Sequence, residues 1–298
     1  MSWVFFASLG YFFLAFAAIG DKIILGKVLP RPVSYAFWQA VLSLGVLIFL
    51  PFDFSFLAPR EVLISFLAGA LWVWGLFLFF KVLLRKEATK VLPIVLSLTP
   101  LFLFVLERAF LQTQLQSKEI TAAGLLIAGS IALSWEPKKE KDISFWKFLG
   151  PSLVAAFFFA SSLFLMKRLF LHESFITVLI WSRLGLFLGG LLFLLPSPWR
   201  REIVSSFAQV RRPAGGFSVV GVKLLGALGA LSIFLAISRG PATLVQSLQG
   251  LEYAFIFIFA LFVSYFAPNL LRESFSQKAL LQKLGGAALV SLGVFFLF

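Results

Sequence analysis

The sequence predicts an all-α polytopic membrane protein with ten transmembrane helices arranged as two inverted five-helix repeats, and three observations predict it. Of the 298 residues, 60% are hydrophobic and 13% charged, with a mean hydropathy of +0.99, whereas soluble domains carry about 25% charged residues. The apolar runs have the length of spanning helices, about 17–25 residues, and lack the alternation of about ten residues that marks a barrel strand. Two groups of residues also recur at constant spacing. Phe80, Arg85, Ala88, Thr89 and Val91 recur 154 positions later as Phe234, Arg239, Ala242, Thr243 and Val245, and Gly75 recurs as Gly229. Lys22, Gly45 and Pro51 recur 145 positions later as Lys167, Gly190 and Pro196. Because five spans per half is an odd number, the second half enters from the opposite side of the membrane, as in inverted-topology folds.

The first half, 1–135, is expected to hold spans at 3–25, 33–50, 62–84, 91–111 and 120–135. Span one lacks a basic leader and a small-residue cleavage site, so it reads as a retained helix rather than a signal peptide. It ends at Asp21 and Lys22, with Lys22 expected to snorkel to the interface. Span two carries Trp38 and Gln39, and span three carries Trp72 and Trp74. A charged connector, 136–147, separates the halves.

The second half, 148–298, is expected to hold spans at 148–170, 175–195, 217–238, 242–266 and 280–298. Span six contains Ser161 and Ser162 and ends near Lys167, a counterpart of Lys22 with the same snorkelling role. Span seven carries a Gly185–Gly189 pair, and span eight a small face of Gly226, Ala227, Gly229 and Ala230; both read as helix packing rather than dimerisation. The change in repeat spacing falls in the connector 196–216. There Arg200, Arg201, Arg211 and Arg212 surround Ile203, Val204, Phe207 and Val210, a spacing that fits a short interfacial helix as well as a solvated loop.

Lys and Arg number 26 against 13 Asp and Glu, a formal charge of +13. The basic residues sit in short loops, so they read as topology signals and headgroup contacts, and no nucleic-acid partner is expected. With Arg183 set apart as intramembrane, 19 of the remaining 25 lie in connectors after odd-numbered spans. Positive residues stay on the cytoplasmic side, which places both termini outside a plasma (bacterial inner) membrane. Cys is absent and His172 is the single histidine, so thiolate and two-histidine metal sites are excluded. No metal or cofactor is expected.

Chemistry concentrates on span nine. Gln246, Gln249 and Tyr253 share one helix face with Glu252 at its edge, inside an otherwise apolar run. Glutamate at that depth costs on the order of 2.5–3.5 kcal/mol, so it must be paired, protonated or facing a polar cavity. Arg183 in span seven is its expected partner, since both lie roughly 15–17 Å deep, near the middle of a ~30 Å core. The repeat counterpart of Arg183 is Trp38. The expected substrate-binding set is therefore Arg183, Glu252, Gln249, Gln246, Trp38, Tyr253, Gln39, Trp72 and Ser162. A static ion pair at Arg183 and Glu252, packing roles for the tryptophans, and backbone bonding by the serines are the structural alternatives. Metalloprotease, nucleophile-elbow and phosphate-loop motifs are missing, and no enzyme is expected.

The pattern resembles the drug/metabolite transporter superfamily, in particular its EamA-type members. The resemblance rests on Glu87-Ala88-Thr89 before Pro93 and Pro100, and on Gly124 and Gly129. In the second half it rests on Pro241-Ala242-Thr243, Gln246 to Tyr253, Pro268 to Glu273, Lys283, Gly285, Gly286 and Gly293. It covers nearly the whole chain. The family's Gly-Glu at the end of the fourth span is absent, with Gln112-Thr113-Gln114 there and Glu107 earlier, so no function is carried over to that position. The resemblance implies a permease working by alternating access, with amino acids, their derivatives or nucleotide-linked compounds as substrates and proton coupling or facilitated exchange. Efflux belongs to the same implication. Family members are drawn with both termini cytoplasmic, opposite to the charge count. The expected function is a secondary transporter of a small polar or amphipathic metabolite, acting as a monomer or homodimer in the bilayer. The other class the sequence allows is a non-transporting assembly or partner-binding subunit.

Overall fold

The structure, a computed structural model, describes residues 2–27, 31–82, 88–134, 146–210, 213–266 and 277–297. Glu87, most of the 136–147 connector, the segment from Pro268 to Glu273 and the side chains of Asp21 and Lys22 lie outside the described residues. The described chain is helical, with no strand. Its helices are α1 (Ser2–Lys27), α2 (Pro32–Leu42), α3 (Pro59–Val82), α4 (Ala88–Phe110), α5 (Ser117–Ser134), α6 (Trp146–Phe170) and α7 (Phe175–Leu191), then α8 (Ser197–Val210), α9 (Pro213–Arg239), α10 (Ala242–Ser247), α11 (Gly250–Phe266) and α12 (Gln277–Phe296). Five helical segments among the described residues are long and apolar enough to cross a membrane: Pro32–Phe49, Pro59–Val82, Leu149–Phe170, Phe175–Leu194 and Ala242–Phe259. Three shorter apolar ones are Ser2–Ala18, Leu224–Arg239 and Leu281–Phe296. Large apolar side chains such as Ile48, Leu63, Phe110 and Phe295 stand exposed on the outside. A surface of that kind belongs in hydrocarbon, where only structures that satisfy their own backbone are stable, and helices do so.

Proline sets where several helices begin. Pro32 opens α2 after Arg31 in extended conformation, where a missing N–H costs nothing. From Ser43 to Phe49 the same segment winds more tightly as a 3-10 helix, so the expected second span is an α-helix only in its first part. The chain then turns at Asp53, whose φ of 49° is left-handed. Its carbonyl accepts from Ser174 Oγ at 3.0 Å and Thr177 Oγ1 at 3.1 Å. Ser174 also caps α7, accepting from the Thr177 N–H at 3.3 Å. The loop is thereby fastened to the start of α7.

Small residues decide which helices touch. α3 lies along both α6 and α7, α1 runs along α9, and α5 runs along α12. At the α3–α7 crossing a Cβ on Gly69 would meet the Ser182 carbonyl and the Leu186 N–H, and one on Gly185 would meet Phe66 Cα. Backbone meets backbone there, so only glycine fits. Without a hydrophobic drive between helices in lipid, such close approach is what dispersion attraction requires. The Gly185–Gly189 pair is thus used inside the chain.

The 196–216 connector contains α8. Trp199, Ile203 and Ser206 fall on one side of it, and Ile203 and Ser206 are buried. Trp199 packs edge-on among Phe77, Phe193 and Trp74. Hydrogen bonds fix the helix to α2: Ser34 Oγ to the Glu202 carbonyl at 3.1 Å, Arg31 Nη1 to Ser205 Oγ at 3.1 Å, and Trp38 Nε1 to Ser206 Oγ at 2.9 Å.

Candidate functional site

The run expected as one helix over 242–266 is two helices, α10 and α11, joined by a turn at Leu248 and Gln249. Three successive bonds there reach back three residues rather than four: Gln249 N–H to the Gln246 carbonyl at 3.1 Å, Leu251 to Leu248 at 2.9 Å, and Glu252 to Gln249 at 3.0 Å. Tighter winding releases the carbonyl of Val245, which an unbroken α-helix would bond to the Gln249 N–H. That carbonyl accepts instead from the Tyr11 hydroxyl of α1 at 2.9 Å. A freed carbonyl in a membrane interior needs such a partner, and a span can break where a neighbour supplies one. Gly250 sits at the break because a Cβ there would meet Ser130 Oγ on α5 and Val290 on α12. Glycine also weakens the helix by about 1 kcal/mol.

The polar residues of the ninth expected span cluster at this break. Gln246 Nε2 donates to Gln249 Oε1. Glu252 lies within electrostatic reach of the phenols of Tyr11 and Tyr253. The Arg183 guanidinium of α7 lies 4.5 Å from the centre of the Phe234 ring of α9, and Phe234 meets Trp72 of α3 at 6.2 Å. Trp72 in turn packs on Phe159 at 5.0 Å. One apolar core contains Tyr11, Phe234 and Val245, with Trp72 and Tyr253 packed against it. Reading span seven against span nine pairs Arg183 with Glu252; in the structure the neighbour of the guanidinium is an aromatic face. A desolvated cation on a ring gains about 2 kcal/mol without using its N–H groups. Among the described residues no hydrogen bond or ion pair engages those donors, and they are absent from the buried unpartnered polar atoms, which are Gln39 Oε1, Ser65 Oγ and Ser152 Oγ. Arg183 and Tyr253 are surrounded by protein yet keep accessible surface, as do Gln246, Gln249 and Glu252.

Other expected site residues lie elsewhere. Trp38 donates to Ser206 and packs on Phe207 at 4.8 Å, in the contact between α2 and α8. Its neighbour Gln39 keeps a buried Oε1 without a partner. Ser162 is buried and donates to the Ala68 carbonyl at 2.7 Å, tying α6 to α3. A serine that bonds a neighbouring helix backbone is a packing element.

Two charged residues that sequence reasoning did not place in the site hold its outer end. Lys167, expected to snorkel outward, turns inward: its Nζ donates to the carbonyls of Ile237 at 2.9 Å and Gly240 at 2.8 Å, the last turn of α9. Glu107 on α4 is buried. It accepts from the Ala242 N–H at 3.0 Å, the Thr243 N–H at 2.9 Å and the Thr243 hydroxyl, at the first turn of α10. An ammonium at a helix C-terminus and a carboxylate at a helix N-terminus each oppose the local helix charge, and the two helices meet at Gly240 and Pro241. The signals were visible but unlinked: Lys167 as a repeat-matched lysine, Glu107 as a carboxylate displaced from the family pattern.

No family model and no curated protein matches the chain. A solved structure described only as "Crystal structure of protein" aligns with 98% of this chain and 94% of its own length, at a TM-score of 0.63 and 16% identity. At that identity the likeness concerns the fold alone. Fold and composition together define a helical membrane protein with polar and charged groups in its interior.

Proposed function

We propose that the chain is a secondary transporter of a small polar or amphipathic metabolite, with ten spans in two inverted five-helix repeats that alternate access to an interior site. The observation that carries this reading is the broken helix α10–α11, with Gln246, Gln249 and Glu252 at the break; Arg183, set on the Phe234 ring with no hydrogen-bond or ion-pair partner among the described residues, adds a second charged group in the interior. Discontinuous helices with polar residues at the break are the usual substrate sites of repeat-built transporters. Packing supports the repeat: exchanging α1 with α6, α3 with α9 and α5 with α12 converts the α1–α9 contact into the α6–α3 contact and leaves α5–α12 unchanged. The exchange also turns the close α3–α7 contact into α9–α2. Those two helices form no such interface among the described residues. Two repeat-related contacts between the halves, one closed and the other open, are what alternating access calls for.

On this reading the Arg183 guanidinium receives a carboxylate or phosphate, Glu252 receives an amine or a proton, and Trp72, Phe234 and Tyr253 supply apolar walls. The resemblance to EamA-type transporters agrees with it. The test is the thermal stability of purified wild type and Glu252→Gln across amino acids, nucleotides and organic cations at two pH values. A ligand at a hundredfold excess over Kd adds about 2.7 kcal/mol to the native state. A compound that stabilises wild type and not the variant supports the reading. If no compound shifts the wild type and the variant is merely less stable at both pH values, the polar cluster is structural and the chain is better read as a non-transporting subunit.

A further inference from the structure

Helix α8 presents two faces of different fate. Trp199, Ile203 and Ser206, spaced as one helical stripe, turn inward onto α2, α3 and the end of α7. Arg200, Val204 and Phe207 form a second stripe about 100° further round the helix, with Arg201 and Ser205 beside it, and one side of the Phe207 ring rests on Trp38 at 4.8 Å. Val204 is 61% and Phe207 49% exposed, and Arg200 and Arg201 are exposed as well. Arg31, also exposed, is held against the helix by its bond to Ser205 Oγ. Among the described residues no acidic group pairs with Arg200 or Arg201. Only five residues, 192–196, separate the end of α7 from α8, so the helix lies at the membrane surface where that apolar segment ends. Exposed Leu192 and Leu195 in the link continue the apolar edge.

We infer that this outer face of α8, with Arg31, Arg200, Arg201, Val204 and Phe207, is a binding surface for an anionic phospholipid. Guanidinium groups bond phosphate in pairs of parallel N–H···O contacts, and Val204 and Phe207 lie where the upper acyl chain of the same molecule would run. That combination selects a lipid over a free anion, which has nothing to place on the apolar residues, and over a zwitterionic lipid, whose headgroup brings a compensating cation. The surface is preformed, since three hydrogen bonds to α2 and a buried inner stripe hold the helix before any lipid arrives. Binding therefore does not carry the cost of folding an amphipathic helix on the membrane.

The experiment uses the full chain in neutral detergent, titrated with phosphatidylglycerol, phosphatidylcholine or inorganic phosphate, with binding read by native mass spectrometry and by the shift in melting temperature. Wild type is expected to retain phosphatidylglycerol over phosphatidylcholine and to be stabilised by it. The double variant Arg200→Gln, Arg201→Gln is expected to bind phosphatidylglycerol on the order of thirtyfold more weakly, as for the loss of two basic residues at an anionic surface. Its melting temperature in phosphatidylcholine should match the wild type, which separates lost binding from lost folding. Val204→Ser, Phe207→Ser should weaken phosphatidylglycerol binding while leaving the charge unchanged. Equal retention of both lipids by wild type, undiminished phosphatidylglycerol binding by the arginine variant, or equal stabilisation by inorganic phosphate would each overturn the inference.

Discussion

The α3–α7 crossing and the α10–α11 break both lie within apolar segments, and they solve opposite problems. At the crossing, Gly69, Gly185 and Gly189 bring two backbones together until no side chain fits between them, and both helices run through it unbroken. At the break, helix bonds are given up and a tyrosine from α1 takes one of the released carbonyls. The first arrangement is dry and tolerates one geometry. The second leaves polar groups partly exposed and depends on partners from other helices. Rigidity in this protein thus comes from small residues and backbone contact, and chemistry from a helix whose backbone is completed by its neighbours.

That contrast can be tested in order of expected effect. Gly69→Ala should be the most damaging, because its new Cβ meets backbone atoms that cannot rotate away; a loss of about 3 kcal/mol or more is expected, read as a lowered melting temperature or failure to purify as a monodisperse species. A mild effect would mean that α3 and α7 slide easily and that the crossing is no rigid scaffold. Glu107→Ala should follow, costing about 2–3 kcal/mol by leaving two N–H groups and a hydroxyl unpartnered and Lys167 without its carboxylate neighbour. Thermal unfolding beside Glu107→Gln checks it, since the amide keeps one acceptor and should recover part of the loss.

Tyr11→Phe is expected to cost about 1 kcal/mol, the worth of one hydrogen bond, and to raise hydrogen exchange at Gln249 and Leu251, next to the unsupported carbonyl. An unchanged exchange pattern would show that the break holds itself open without α1. Smallest in stability should be Arg183→Gln: losing the ring contact is offset by no longer desolvating a cation, so a change of about 1 kcal/mol or less is expected. On the proposed reading the same variant loses all stabilisation by an anionic ligand that protects wild type. A large destabilisation with ligand binding intact would make Arg183 a structural residue.

Much of this was legible in advance, and the misses share a cause. Segment lengths and composition announced helices in a membrane, and the glycine pairs announced close packing, because both properties are local. The spacing of Ile203, Val204 and Phe207 allowed α8 as one of two readings, a helix or a loop, for the same reason. Trp38 and Ser162 were assigned to the site because an intramembrane polar edge reads alike whether it lines a cavity or bonds a neighbouring helix. Lys167 read as a snorkelling residue because its stem suits that role and the carbonyls of Ile237 and Gly240 lie 70 and 73 positions away.

What the sequence determined by itself is the class of molecule and the inventory of polar groups available inside it, since the cost of placing each residue in hydrocarbon is paid locally and can be read from the run that contains it. The tertiary structure alone decided where α10 ends, which carbonyl Tyr11 completes, and that Glu107 and Lys167 meet the same helix junction. Those are pairings between segments far apart in the chain, and their energies exist only once helix packing has brought donor and acceptor within about 3 Å.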